Sequence, residues 1–391
     1  MQGGTSGIGA SVVHELASRG TQIILLTHHP PSDIFLIDYI NDLRESTGNR
    51  LIYAEQVDLS SLHSVRTFAT KWIDNIPVRR LDMLILCAST AAPSPSNRMT
   101  TGDGLDLDFQ VNYLSNYHLL SILSPALRAQ PPDRDVRIIV TTCSGYIGAK
   151  YDLKQALTTA DDPKPSGSTP KTISKAMAKG KPSKREQPNL FRLSKLCLMI
   201  FAHSFQAHLN SHERPDKQPP NAHLSIVDPG LCRTPGTRRW LTGGSLWGLL
   251  LYVLTWPLWW LVLKSSQQGA QTFLYAAMEA RFASGTGAWF LKECREVDVA
   301  RKEIRDDEVA KKLWQFSEEL IVEREKASAV KRTLEKKVAE EEEKQKQKRK
   351  QEADRNDGHG QGSATSSDKH GKSSATAGGS SKEQKTRKGT K

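Results

Sequence analysis

The sequence predicts an α/β fold built on a doubly wound parallel sheet. Three observations predict it: a glycine-rich turn running into a helix, a series of short buried apolar runs, and helical stretches between those runs. The turn is Gly3-Gly4-Thr5-Ser6-Gly7-Ile8-Gly9. Glycines there let the backbone take positive φ and approach a pyrophosphate, whose charge then sits on the unpaired N–H groups of the helix N-terminus. Gly3, Thr5, Ser6, Gly7, Ile8 and Gly9 are therefore candidate dinucleotide ligands. Residues 10–20 supply the helix, with Val12, Val13, Leu16 and Ala17 on one face and Gly20 as its stop. A buried strand should precede such a turn, and only Met1 and Gln2 do. The first strand is thus expected to be missing or truncated, an incomplete reading of a longer gene product being one explanation.

The strands follow in order. Residues 22–27, 51–57, 81–86, 137–142 and 223–227 are apolar, β-branched runs of the kind that parallel sheets bury on both faces. Asp58 and Leu59 close the second run, where Asp58 either holds an adenine ring or caps the helix from Ser60. The first run ends in Thr27-His28-His29 without an acid. An acidic residue there binds a free ribose 2′-OH and a basic one accepts a 2′-phosphate, so NADP is favoured over NAD, with His28 as the candidate ligand. Two solvated loop histidines before Pro30-Pro31 are the plainer alternative. Asp228-Pro229-Gly230-Leu231-Cys232-Arg233-Thr234 is a strand end followed by a proline-glycine turn.

Five of these motifs together carry a resemblance: the turn from Gly3 to Gly9, Asp58-Leu59, Phe109-Gln110-Val111-Asn112, Ser194-Lys195 within a helix, and Asp228-Pro229-Gly230 with Thr234. The chain resembles a Rossmann-like short-chain dehydrogenase/reductase of the retinol-dehydrogenase-like kind over residues 3–300, especially fungal members associated with lipid droplets and the endoplasmic reticulum. The resemblance implies that Pro229, Gly230 and Thr234 wrap the nicotinamide. It also implies that Ala88, in a Cys87-Ala88-Ser89 segment that departs from the usual Asn-Ala-Gly, lines the cofactor. It further implies a catalytic group in which tyrosine transfers the proton, lysine lowers the tyrosine pKa and holds the ribose, serine orients the carbonyl, and asparagine relays through water. Asn112, Ser144 and Lys195 match, with Cys143 and Thr142 as alternates for the serine register. The tyrosine position, four residues before Lys195, holds Phe191. Tyr146, four residues before Lys150, follows its strand directly and is expected to be a loop aromatic rather than a substitute acid.

Residues 246–263 carry no charge and include four tryptophans and Pro257. At 1.5 Å per residue a helix of that length reaches ~27 Å, close to the ~30 Å of a bilayer core. The proline and tryptophans argue for a broken helix or shallow membrane hairpin, flanked by Arg238-Arg239 and Lys264. The alternative is a greasy lid over the substrate site. Residues 152–190, rich in Lys, Pro and Ser, read as a disordered insertion. Residues 301–350 read as a charged helical extension in which Val309, Leu313, Phe316 and Leu320 form a stripe that docks on the domain, and residues 351–391 as a disordered basic tail.

The chain has 391 residues, 37% of them apolar, and a net charge of +12, which suits one catalytic body over 1–300 with charged appendages. The positive charge favours anionic lipid surfaces, and no nucleic-acid motif accompanies it. The five cysteines show no metal spacing, so neither a metal site nor structural disulfides are expected. The expected protein is a membrane-associated NAD(P)-dependent oxidoreductase acting on a lipophilic substrate, on lipid droplets or the endoplasmic reticulum with its body facing the cytosol. A catalytically silent cofactor-binding interaction protein is the alternative.

Overall fold

The computed structural model describes residues 1–391 apart from 77–78, 94–97, 158–188, 215, 286 and 360–391. Its parallel strands are β1 (Ile23–Thr27), β2 (Ile52–Gln56), β3 (Met83–Leu86), β4 (Val136–Thr141), β5 (Ala222–Asp228) and β6 (Trp289–Lys292), with the short β7 (Arg295–Glu296) antiparallel to β6. β1 pairs with β2, and β3 to β7 pair in sequence order. Between the two groups lie Met1 and Gln2. Gln2 bridges in parallel to Leu26 on one side and Leu86 on the other. Its N–H donates to Ile85 O at 2.9 Å, while Leu26 N–H donates to Met1 O at 2.8 Å. These two residues stand in the slot of the expected first strand, and counting them as strand 1 the parallel order becomes the doubly wound 3-2-1-4-5-6-7, with β7 antiparallel at the edge.

Period-two alternation sends neighbouring side chains to opposite faces. Leu84, Leu86, Ile138, Val140, Leu224 and Ile226 join one core cluster, and Ile85, Ile139 and Val227 the other. The first face is covered by α3 (Leu62–Ile73), α5 (Ser115–Arg128) and α6 (Leu190–Asn210). The second is covered by α1 (Gly7–Ser18) and α10 (Ser266–Met278). The remaining helices are α2 (Ile34–Thr47), α4 (Leu107–Phe109), α7 (Pro235–Leu241), α8 (Leu246–Leu254), α9 (Trp256–Val262) and α11 (Asp307–His359). Local caps fix several starts: Asp33, Ser61 and Asn189 accept from the backbone of Phe35, Ser64 and Arg192, and Ser265 with Gln268 forms a capping box.

Three expectations need correction or placement. The first helix begins at Gly7, so Gly7-Ile8-Gly9 of the glycine turn already belong to it. α11 continues through 351–359, expected to be disordered; of the insertion expected to be disordered at 152–190, Leu153–Leu157 forms a 3-10 turn and Leu190 opens α6, while 158–188 and the tail from 360 lie outside the described residues. Residues 246–263 form two short helices, α8 and α9, broken at Thr255 just before Pro257, and no helix of the described residues is long and apolar enough to cross a membrane.

Met1–Val330 forms one compact unit and Lys331–Lys391 a second. Within the first, the start of α11 docks through Leu313, Leu320 and Ile321, all buried. Trp314 packs edge-on against Tyr117 at 5.4 Å, and the Ser317 and Tyr113 hydroxyls meet at 2.7 Å. Glu325 takes a bidentate pair from Arg66 and lies 3.3 Å from Nε2 of the buried His118. Burial pushes His118 down from 6.5 to about 4. Between these values the unfolded chain takes up a proton that the folded chain refuses, so stability is fully present above 6.5 and falls as pH drops through this window. The loss should reach on the order of 3 kcal/mol. Urea midpoints measured across this range should flatten in His118→Gln relative to the wild type, and an equal slope in both proteins refutes the assignment.

Candidate active site

The glycine turn is shaped by close approach. Gly3 has φ +67°, and a Cβ there would fall 2.7 Å from Ala88 N; a Cβ on Gly9 would fall 1.9 Å from Gly3 O. Ser6 is extended ahead of α1 and its hydroxyl makes no cap bond, which leaves the first-turn N–H groups of α1 for an anion. Gly7, at φ +55°, faces the Thr234 methyl, so the turn, Ala88 and Thr234 share one neighbourhood. Gly230, at φ +78°, donates its N–H to Asp228 Oδ1 at 2.9 Å, and Pro229 is buried beside it. Thr234 caps α7 by accepting from Thr237 N–H.

His28 is exposed at the end of β1, its ring 3.9 Å from that of His29, which pairs with Asp33. Asp58 Oδ1 accepts from the Ser60 N–H at 2.8 Å and the Ser60 hydroxyl at 2.7 Å, a local turn ahead of α3, whose cap is Ser61 and not Asp58. Leu59 O accepts from the Ser115 hydroxyl at 2.6 Å, tying this corner to α5.

Asn112 lies in a π-helical segment, Gln110–Leu114, between α4 and α5. Such an inserted residue re-aims a side chain and is frequent at functional sites. The Asn112 amide is fully buried and paired both ways with the Thr90 backbone at 2.8 Å; it also accepts from Ser89 and donates to Ser194 Oγ. It thereby pins the strand-end segment that carries Ala88. Lys195 is buried on α6, its Nζ donating to Thr141 O at 3.1 Å and lying 5.8 Å from the centre of the Phe191 ring. Burial pushes its ammonium below the ordinary lysine value, opposed by Cys143, Cys87, Asp108 and Asp228.

Ser144 Oγ donates to Asp228 Oδ2 at 2.8 Å and accepts from Lys292 Nζ at 3.0 Å. Cys143, extended just ahead of the 3-10 turn that Ser144 opens, is the alternate close enough to Lys195 to feel its charge. Its thiol lies by Phe191: a Cβ built on Gly145 would be 3.3 Å from Cys143 Sγ and 3.7 Å from Phe191 Cε1. Burial raises this thiol's pKa and the Lys195 ammonium pulls it back. The other alternate, Thr142, has a buried hydroxyl with no protein partner. The site thus joins Asn112, Cys143, Phe191 and Lys195. Tyr146 is buried, edge-on to Phe290 at 6.1 Å, and its hydroxyl accepts from Ala300 N–H, so it belongs to the core. Lys292 went unnoticed in the sequence because β6 is four residues long and the turn after it, Glu293-Cys294, carries no turn-forming residue although both take positive φ.

The short chain dehydrogenase family pattern matches residues 1–156. An uncharacterized oxidoreductase of Schizosaccharomyces pombe, pbr1, is 45% identical over 324 residues, covering 83% of this chain and 81% of its own. The chain belongs to the short-chain dehydrogenase/reductase family. Human retinol dehydrogenase 13 is 29% identical over 82% of both chains. An uncharacterized protein from Mycobacterium paratuberculosis shares the fold, with a TM-score of 0.52 at 20% identity over 82% of this chain and 91% of that one. As a short-chain dehydrogenase/reductase, the protein is an oxidoreductase of the nicotinamide-dependent class. Its residues fit the dinucleotide at the turn, where added Cβ atoms have no room, and at Asn112 and Lys195. At the position where the resemblance implies a tyrosine they carry Phe191.

Proposed function

We propose that this protein interconverts an alcohol and a carbonyl on a lipophilic substrate at a membrane or lipid-droplet surface, with NADP preferred. The observation that carries the reading is the buried Lys195, one helical turn past Phe191 and joined to Asn112 through the α6 neighbour Ser194. A bound nicotinamide would supply or accept the hydride. Lys195 would hold the ribose, Asn112 fixes the segment bearing Ala88, and the Pro229–Gly230 turn orients the nicotinamide-side wall. The exposed His28, with no acid at the end of β1, supports a 2′-phosphate. The exposed apolar α8 and α9 shortly after Thr234 support a lipid-side substrate entrance, on lipid droplets or the endoplasmic reticulum with the catalytic body in the cytosol.

Fluorescence titration of the full chain with NADPH and NADH tests the cofactor reading. Saturable binding, tighter for NADPH, is expected. Lys195→Met should weaken it at least ~10-fold, since hydrogen bonds to a charged group contribute ~1.5–3 kcal/mol. Its thermal midpoint should stay equal or rise, because a buried ammonium is replaced by an apolar side chain of similar length. Absence of binding to either cofactor refutes the enzymatic reading. Phe191 favours a second reading, a cofactor-binding interaction protein without turnover.

A further inference from the structure

A groove of about 590 Å³ opens at the base of α9, between the end of that helix and the exposed side of α10. Trp260 and Leu261 form an apolar wall, while Gln267 and Gln271 of α10 offer side-chain amides. Arg233 reaches in between, its guanidinium 5.5 Å from the centre of the Trp260 ring. Stacking on an indole holds the fork in one plane and leaves its N–H edges free to meet an oxyanion. No carboxylate pairs with Arg233 among the described residues, whereas the neighbouring Lys264 is already paired with Glu293 at 3.0 Å. The N-terminus of α10 is closed by its capping box and offers little. None of the turn residues from Gly3 to Gly9 lines this groove, nor does Thr234.

The surroundings point to what fills it. The groove runs into the exposed apolar surface of α8 and α9, where Leu254 and Leu261 are 71% and 78% exposed. A ligand suited to this place has an anionic head for Arg233 and a hydrocarbon part continuous with Trp260 and Leu261. We propose that the groove binds the anionic headgroup of a membrane phospholipid, with the phosphate on Arg233 and the acyl side along Trp260 and Leu261. This site rests on the interfacial reading of α8 and α9 and adds lipid selectivity to it. The headgroup contact would set the depth and tilt of the helix pair, fixing the substrate entrance against the lipid.

The test is flotation of the full-length protein with vesicles of phosphatidylcholine alone and of phosphatidylcholine with phosphatidylserine. Wild type should bind both and prefer the mixed vesicles. Arg233→Gln should lose roughly fivefold in affinity for mixed vesicles, the equivalent of about one surface cation, and clearly less on neutral ones, where the choline cation offsets the phosphate that Arg233 would meet. Trp260→Leu, which keeps the charge and removes its platform, should shift selectivity the same way. Arg238→Gln with Arg239→Gln, on exposed positions of α7 outside the groove, serves as the comparison for diffuse attraction. If that pair costs as much per charge as Arg233→Gln, or if Arg233→Gln binds mixed vesicles as wild type does, the headgroup site is refuted while interfacial binding stands. If wild type binds neither vesicle, the interfacial reading fails and the site with it.

Discussion

Phe191→Tyr is expected to raise turnover at least ~100-fold, because a positioned acid or base contributes typically ~10²- to 10⁴-fold. The parts a tyrosine needs are in place. Position 191 is one turn ahead of Lys195 on the same face of α6, and the Lys195 ammonium already lies 5.8 Å from the Phe191 ring centre. A hydroxyl added to that ring gains a cation that stabilises its ionised form. Burial leaves the present thiols poor substitutes: Cys87 is pushed up to about 11 and Cys143 above its ordinary value, so both stay protonated near neutrality. Adding Cys143→Ser should increase turnover further, by supplying a hydroxyl to orient the carbonyl. The assay is NADPH oxidation over a panel of lipophilic ketones, with product identified by mass. Unchanged turnover in a Phe191→Tyr variant that still binds NADPH would support the silent reading instead.

The second large effect concerns α8 and α9. Leu254→Asp with Leu258→Asp should reduce vesicle binding by at least ~100-fold, since each exchange replaces a favourable apolar insertion with a charge costing up to ~3 kcal/mol in hydrocarbon. Both side chains flank the break at Thr255 and are exposed, so the folded body should tolerate the change. Helices of nine and seven residues reach only ~14 and ~10 Å, the depth of an interfacial element and not of a span. The packing of Tyr252 against Trp256 at 5.9 Å and Trp259 at 6.4 Å keeps the pair folded. Unaltered flotation of this variant, with its thermal midpoint preserved, would assign the exposed surface to a lid over the substrate site.

Much of this was legible along the chain because it depends on local rules. Apolar runs located the inner strands, glycine spacing located the turn, and the one-turn separation of positions 191 and 195 exposed the absence of the catalytic tyrosine. The shorter β6 was missed because four residues give too little periodicity to recognise. The tail was cut short because charged residues favour helix and solvent alike, and α11 runs past 350.

What the sequence determined by itself was therefore the class of fold and the glycine turn, which follow from residue type at fixed local spacing, while the places of Asn112, Phe191 and Lys195 came from the family resemblance that those motifs carry. Tertiary structure alone decided the partners of the side chains at the end of β4. Ser144 meets Asp228 and Lys292, while the Cys143 thiol comes near enough to Lys195 for the ammonium to oppose the effect of burial. It also decided that Met1 and Gln2 bridge β1 and β3, and that Arg233 stacks on Trp260, because both contacts join segments distant in the chain that no local pattern relates.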